Sequence, residues 1–160
     1  MRAIIARELG PPENLVIEDL EPLSAGPGQV VIDNKAAAVN FPDLLVMEGK
    51  YQVRPPLPFS PGKEGAGIVK SVGEGVTKLK PGDRVMVQVE YGSYAQEVLA
   101  EESHCYPVPD GVSFEEAAAI GIAYQTAYFA LVERAYVKAG QSVLVTGASG
   151  SVGLAAMQLA

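Results

Sequence analysis

An apolar run followed by a glycine-rich loop occupies residues 142–153 of the 160-residue chain. Residues 142–146 form a short apolar run, as expected for a strand that is buried on both faces. Gly147, Gly150 and Gly153 follow at three-residue intervals, and residues 152–160 favour a helix. Glycines let the backbone approach a pyrophosphate, and a helix start offers free N–H groups and a positive dipole end. The pattern predicts a phosphate-binding loop, and its alternative is a flexible Gly/Ser turn.

The loop also carries two hydroxyl groups. Ser149 and Ser151 add hydrogen-bond donors for a phosphate, and Val152 continues the loop into the helix. The acidic residue that reads the ribose stands about 20 residues after such a loop, which lies beyond Ala160. The sequence therefore leaves NAD and NADP as alternatives. We expect the chain to contain only the first strand and helix of a truncated α/β dinucleotide-binding domain.

The charge balance excludes several classes of partner. Acidic residues number 19 and basic residues 12, so the net charge is −7. An acidic surface repels nucleic-acid phosphates and anionic membranes, so neither is an expected partner. Arg7 and Glu8 interrupt the apolar run that a signal peptide needs. We therefore predict a soluble, cytoplasmic protein.

The chain has one histidine and one cysteine, the adjacent pair His104 and Cys105. A structural zinc site needs about four such ligands, so none is expected, and we interpret both residues as structural. If the glycine loop holds a nicotinamide cofactor, the lack of a metal to help ionise an alcohol favours an easier hydride acceptor. A quinone or an α,β-unsaturated carbonyl takes hydride at carbon, and its oxygen then needs only a hydrogen-bond donor.

Residues 1–112 are predicted to form short strands joined by turns, which favours a small barrel. A short helix is expected at residues 42–48, ended by Gly49, and four prolines exclude a helix over residues 55–61. Ser113 and Glu116 form a capping box before an alanine-rich helical segment that reaches about residue 137. The predicted strands are residues 1–6, 15–19, 28–39, 65–73, 84–89 and 94–99.

Several motifs occur together in an order that resembles one known family. They are Asn-Phe-Pro-Asp at 40–43, Gly-Lys-Tyr at 49–51, Pro-Gly-Lys-Glu-Gly-Ala-Gly-Ile-Val at 61–69, Gly-Asp-Arg-Val at 82–85 and the glycine loop at 147–153. The chain resembles the quinone oxidoreductase (zeta-crystallin-like) branch of the medium-chain dehydrogenase/reductase superfamily. The resemblance implies a mainly β fold with α: a GroES-like barrel (catalytic) domain over residues 1–112, then an interdomain helix and the start of a truncated Rossmann domain over residues 113–160.

The resemblance also implies an activity. It is hydride transfer from NADPH, with NADH as the alternative, to a quinone or conjugated carbonyl. Zinc-dependent members carry a Gly-His-Glu motif and a cysteine, where this chain has Lys63 and Asn40. A protonated lysine has no lone pair for zinc. Lys63 is interpreted as a surface residue, or as the ion-pair partner of Glu64. A homodimer is possible, since family members are often dimers. The alternative function is a non-enzymatic barrel fragment that acts as a binding or structural module.

The resemblance assigns roles to individual side chains. Asn40 is expected near the nicotinamide and the substrate, or else as a turn residue that starts a helix. Tyr51 is expected to donate a hydrogen bond to the developing oxyanion, or else to be a packed aromatic. Thr126 is expected to contact the cofactor, or else to bond back to a helix carbonyl. Asp43 is expected to cap or brace its loop, and Tyr124 and Tyr128 are both expected to be packing residues.

Overall fold

The structure is a computed structural model that describes residues 1–160. It contains seven strands and three α-helices. The strands are β1 Arg2–Ile5, β2 Val16–Asp19, β3 Gln29–Ala37, β4 Glu64–Val72, β5 Arg84–Gln88, β6 Glu97–Glu101 and β7 Cys105–Pro107. The helices are α1 Phe41–Met47, α2 Phe114–Tyr128 and α3 Ser151–Leu159, and a π-helix, Phe129–Arg134, continues α2.

Five strands form one antiparallel sheet in the order β6-β3-β4-β5-β7, and β1 pairs with β2 in a second sheet. The two edge strands β6 and β7 are joined only by the turn Glu102–His104. In a flat sheet these edges would lie about 19 Å apart, because neighbouring strands are about 4.8 Å apart. The four Cα–Cα steps from Glu101 to Cys105 span at most about 14 Å. The sheet must therefore curl, which confirms the predicted GroES-like barrel as a half-barrel.

The main core lies inside the curled sheet, and period-2 alternation supplies it. Val30 and Ile32 of β3 and Val85 and Val87 of β5 are fully buried. Gly67 of β4 shows how closely the sheet packs: a Cβ added there would lie 2.1 Å from the carbonyl oxygen of Asp33. This confirms the close backbone packing predicted at the β4 glycines.

The helices begin where the sequence predicts. Glu116 accepts from the Ser113 backbone N–H at 2.9 Å and the Ser113 hydroxyl accepts from the Glu116 N–H at 3.2 Å, so the capping box is confirmed. Gly49 follows α1 with a φ of 68°, a conformation that favours glycine and ends the helix. No helix in the structure combines the length and the apolar character needed to cross a membrane.

The chain divides into two compact units, Met1–Ala119 and Ile120–Ala160. The first contains the half-barrel, and its residue Ala66 of β4 packs with Ala117 and Ala118 at the start of α2. The second contains the rest of α2, the glycine loop and α3. The predicted domain division at residues 112 and 113 stays a prediction.

The predicted strand at residues 142–146 is wrong for this structure. The segment pairs with no other strand, and the side chain of Leu144 is 91% exposed. A strand of a parallel sheet takes its hydrogen bonds from neighbouring strands, and no strand of this chain lies beside residues 142–146. The sequence interpretation also missed β7, which is three residues long and ends in a proline.

Candidate active site

Asn40 precedes α1 and is tied to two carboxylates. Its backbone N–H donates to Asp43 Oδ2 at 2.8 Å, as in a capping box. Its side-chain amide Nδ2 donates to Glu64 Oε1 at 2.8 Å. Glu64 is the first residue of β4 and is 1% exposed. Because a carboxylate only accepts, this bond defines which end of the amide is nitrogen, and the amide oxygen points away from Glu64.

Asp43 links α1 to the segment before β6. The Tyr94 hydroxyl donates to Asp43 Oδ2 at 2.8 Å. Burial raises the pKa of Asp43, although hydrogen bonds from the Asn40 backbone and from Tyr94 act in the opposite direction. Burial, together with the hydrogen bond to Asp43, raises the pKa of Tyr94. Tyr94 therefore remains a hydroxyl donor at neutral pH, and the predicted bracing role of Asp43 is confirmed.

Lys63 is buried, with 8% exposure. Its Nζ donates to Glu90 Oε2 at 2.6 Å and to the Glu90 carbonyl oxygen at 3.1 Å. The same Nζ lies 4.8 Å from the centroid of the Tyr51 ring, within cation–π range. The interpretation of Lys63 as a surface residue is therefore wrong. The fold turns its side chain inward, and a buried ammonium needs partners such as these.

Tyr51 is half-buried against the cluster of Ala6, Val46 and Phe59. Its ring is thus packed, as one alternative predicted, while its role as a donor stays a prediction. The candidate catalytic residues Asn40 and Tyr51 are contacted by two residues that are adjacent in sequence. Glu64 contacts Asn40, and Lys63 contacts Tyr51. The beginning of β4 therefore brings both groups to one end of the sheet.

An open groove of about 550 Å³ borders this network. Tyr94 and Val39 form part of its wall, and most of the lining is apolar. Val39 and Phe41, on either side of Asn40, are 78% and 70% exposed. Asn40 therefore stands next to exposed apolar side chains.

In the second unit, the glycine loop leads directly into α3. Gly147 has a φ of 69°, and its carbonyl oxygen accepts from Gly150 N–H at 3.1 Å. Gly153 allows the loop to lie against the helix: a Cβ there would be 2.4 Å from Gly147 O. The first helical N–H groups, those of Ser151, Val152 and Gly153, have no acceptor within the helix. The predicted loop and helix are present, although the predicted strand before them is not.

Thr126 lies on the exposed side of α2, where its hydroxyl donates to the Ile122 carbonyl at 2.6 Å. This is the back-bonding alternative that the sequence allowed. Contact with a cofactor stays a prediction. The Tyr124 hydroxyl donates to the Gln158 side chain, whereas Tyr128 is 50% exposed and is not packed as predicted.

Cys105 is a core residue of the half-barrel. Burial raises its pKa to about 12, so the thiol is protonated at neutral pH and is a weak nucleophile. His104 belongs to the turn between β6 and β7. The structural interpretation of Cys105 is confirmed.

Sequence reasoning missed two residues of this site, Glu90 and Tyr94. Both lie between β5 and β6, and they meet their partners across 27 and 51 residues of sequence. The loop at residues 89–96 is short and contains glycine and tyrosine, and its sequence carries no local signal for such contacts. Only the pairing of β4 with β5 brings residue 90 back beside residue 63, because Val89 N–H donates to Lys63 O at 2.8 Å.

Comparison with known proteins agrees with this geometry. Residues 26–141 match the alcohol dehydrogenase GroES-like domain family. The quinone oxidoreductase of Lama guanicoe is 44% identical over 162 residues, covering 100% of this chain and 49% of that protein. The chain belongs to the quinone oxidoreductase branch of the medium-chain dehydrogenase/reductase superfamily.

Other members of the superfamily are similar over comparable lengths. The synaptic vesicle membrane protein VAT-1 homolog of Rattus norvegicus is 46% identical over 138 residues, covering 86% of this chain and 34% of that protein. The structure of Escherichia coli quinone oxidoreductase complexed with NADPH superposes with a TM-score of 0.91 at 34% identity, over 99% of this chain and 49% of that one. The chain thus spans at most about half the length of these medium-chain relatives.

Proposed function

We propose that this protein, at its full natural length, transfers hydride from NADPH to a quinone or an α,β-unsaturated carbonyl without a metal ion. One observation carries the proposal: Asn40 and Lys63, which the sequence resemblance assigns to the ligand positions of zinc-dependent members, both hydrogen-bond to carboxylates. Asn40 donates to Glu64 and Lys63 donates to Glu90. An ammonium has no lone pair for zinc, and an amide nitrogen that donates to a carboxylate is no ligand either.

The chain contributes binding and orientation, while NADPH, when bound, supplies the hydride. Asn40 is a candidate for both catalysis and cofactor contact. Its side-chain amide donates to Glu64, and its amide oxygen points away from Glu64. That oxygen is suited to accept from an amide such as a carboxamide. Tyr51, the second catalytic candidate, donates its hydroxyl to the acceptor oxygen where negative charge develops. The apolar surface around Val39 and Phe41 suits a quinone ring or an enone.

The second unit is proposed to bind the cofactor phosphates. The NADPH complex of the Escherichia coli relative and the loop geometry support this role. Free N–H groups at the start of α3 and nearby hydroxyls are the donors that a pyrophosphate needs. NADPH is the proposed cofactor rather than NADH, because solved relatives contain NADPH. The proposed cofactor-binding residues are Asn40, Thr126, Gly147, Ser149, Gly150, Ser151, Val152 and Gly153.

A second candidate function is a non-enzymatic binding or structural module. The unpaired segment at residues 142–146, with Leu144 91% exposed, favours it. An extended apolar segment without strand neighbours offers an edge for another chain, including a second copy of this one. Titrating the 160-residue chain with NADPH separates the candidates, because micromolar affinity would contradict a module without cofactor. Light scattering that shows a monomer would contradict the homodimer.

The main test is turnover at full natural length. NADPH and NADH oxidation is measured with a quinone and with a 2-enone, with and without a chelator. We expect turnover that is insensitive to chelation. Asn40→Ala should lower kcat. Asn14→Ala should not, because Asn14 is exposed and its side chain hydrogen-bonds to Glu8, away from the candidate groups. Absence of turnover with both acceptors, or complete loss on chelation, would refute the proposal.

A further inference from the structure

The burial of Lys63 calls for a physical explanation. Lysine side chains are rarely buried, because removing an ammonium from water costs several kcal/mol. The Lys63 side chain is 10% exposed, whereas the carboxylate that it contacts, that of Glu90, belongs to a side chain that is 61% exposed. An ion pair formed at the surface would give the same contact with less desolvation. The inward position of Lys63 therefore requires another partner.

One further partner is the Tyr51 ring, and the Asp43 carboxylate also attracts the ammonium. Nζ lies 4.8 Å from the ring centroid, and a desolvated ammonium gains more from an aromatic face than an exposed one does. The Glu90 carbonyl, at 3.1 Å, adds a fixed acceptor because Val89 N–H bonds to the Lys63 carbonyl oxygen. The Lys63 ammonium therefore contacts both the Glu90 carbonyl oxygen and the Tyr51 ring.

We propose that Lys63 is a positioning residue that holds the Tyr51 ring, and through it the Tyr51 hydroxyl, at a defined place relative to Asn40. The inference rests on the proposed function, in which Tyr51 donates to the acceptor oxygen. Its basis is the adjacency of Lys63 and Glu64 at the start of β4. Glu64 holds the Asn40 amide at 2.8 Å and Lys63 holds the ring, so two consecutive residues set the spacing of both candidate groups.

The positioning role has a structural test that needs no turnover. Fluorotyrosine is incorporated into the 160-residue chain, and Tyr51→Phe assigns the Tyr51 signal in the fluorine NMR spectrum. Lys63→Met keeps the length of the side chain but removes the charge, and we expect it to move the Tyr51 signal towards that of free fluorotyrosine. Lys63→Arg, which keeps the charge and can stack on the ring, should restore the native signal. Lys80→Met is the control, because Lys80 pairs with Asp83 at the exposed surface. A Tyr51 signal unchanged in Lys63→Met would overturn the proposal.

Kinetics at full natural length provide the second readout. Misplacing a catalytic group by about 1 Å costs up to about 100-fold in rate, so Lys63→Met should lower kcat by roughly 10- to 100-fold and leave the KM for NADPH nearly unchanged. If Lys63 acts through Tyr51, the double variant Lys63→Met with Tyr51→Phe loses no more activity than Tyr51→Phe alone. Losses that multiply would refute positioning. If the wild-type protein shows no turnover, the proposed function fails, and the NMR comparison still decides the role of Lys63.

Discussion

Replacing Gly153 by alanine tests whether the glycine loop is built to lie against α3. The new Cβ would lie 2.4 Å from the Gly147 carbonyl oxygen and 2.8 Å from the Ala148 Cα, whereas real Cβ atoms are essentially never found closer than 3.0 Å to such atoms. The loop must therefore move by about 0.6 Å or more. Overpacking of this kind costs about 1–3 kcal/mol. The better helix propensity of alanine returns up to about 1 kcal/mol. We expect a net destabilisation of about 0–3 kcal/mol.

Gly153→Ala should also weaken cofactor binding. The displaced loop carries the N–H groups proposed to hold the phosphates, and a loss of 1.4 kcal/mol corresponds to about tenfold in Kd. We expect Gly153→Ala to weaken NADPH binding at least tenfold, measured by fluorescence titration at full natural length. Hydrogen exchange of α3 amides measures the packing itself.

Gly150→Ala is the control for the hydrogen-exchange measurement, because it adds a methyl group to the same loop without a close contact. Its Cβ would lie 3.5 Å from Gly147 O, an ordinary contact, so α3 protection should change less than in Gly153→Ala. Equal protection losses in the two variants would contradict the steric argument. An unchanged NADPH affinity in Gly153→Ala would contradict the proposed phosphate site.

Three further predictions concern the half-barrel. Glu102 Oε1 accepts N–H groups of residues 77, 78 and 79 at 2.5–3.1 Å, so Glu102→Ala should lower the urea unfolding free energy by about 1–3 kcal/mol, and Glu102→Gln, which keeps an acceptor oxygen, by less. Equal losses would contradict the role of that oxygen. The raised pKa of Cys105 predicts very slow reaction with a thiol reagent at pH 8 and fast reaction in urea; comparable rates would show that Cys105 is accessible. The hydrogen bond from Lys70 lowers the pKa of Glu97, so Glu97 stabilises the fold above pH 4.5, and that stabilisation is lost as the pH falls through the lower native pKa. The free energy of unfolding in urea should fall more steeply below pH 4.5 in the wild type than in Glu97→Gln. The same pH dependence in both proteins would refute the assignment.

Local patterns predicted the elements of the fold well because their causes are local. The strands alternate or are β-branched, and prolines and glycines mark their ends. The Ser113 and Glu116 capping box is a contact within one turn, so four residues of sequence suffice to predict it. The end of α1 at Gly49 is equally local, because it depends on one backbone conformation.

The strand prediction at residues 142–146 failed for the opposite reason. Its apolar pattern is compatible with a buried strand, but a strand is completed by hydrogen bonds from residues distant in sequence. β7 was missed because three residues leave no room for a periodic pattern, and its assignment comes from pairing with β5.

The candidate site likewise has features that depend on local sequence and features that depend on contacts between distant residues. The amino-acid sequence by itself determined that Asn40, Lys63 and the glycine loop occur in an order that resembles a zinc-free reductase, because motifs are a property of order and spacing. Only the tertiary structure decided that Lys63 turns inward to Glu90 and Tyr51, and that Glu64 holds the Asn40 amide. The physical reason is that burial and hydrogen-bond partners depend on which distant segments the sheet brings together, and no local pattern encodes that pairing.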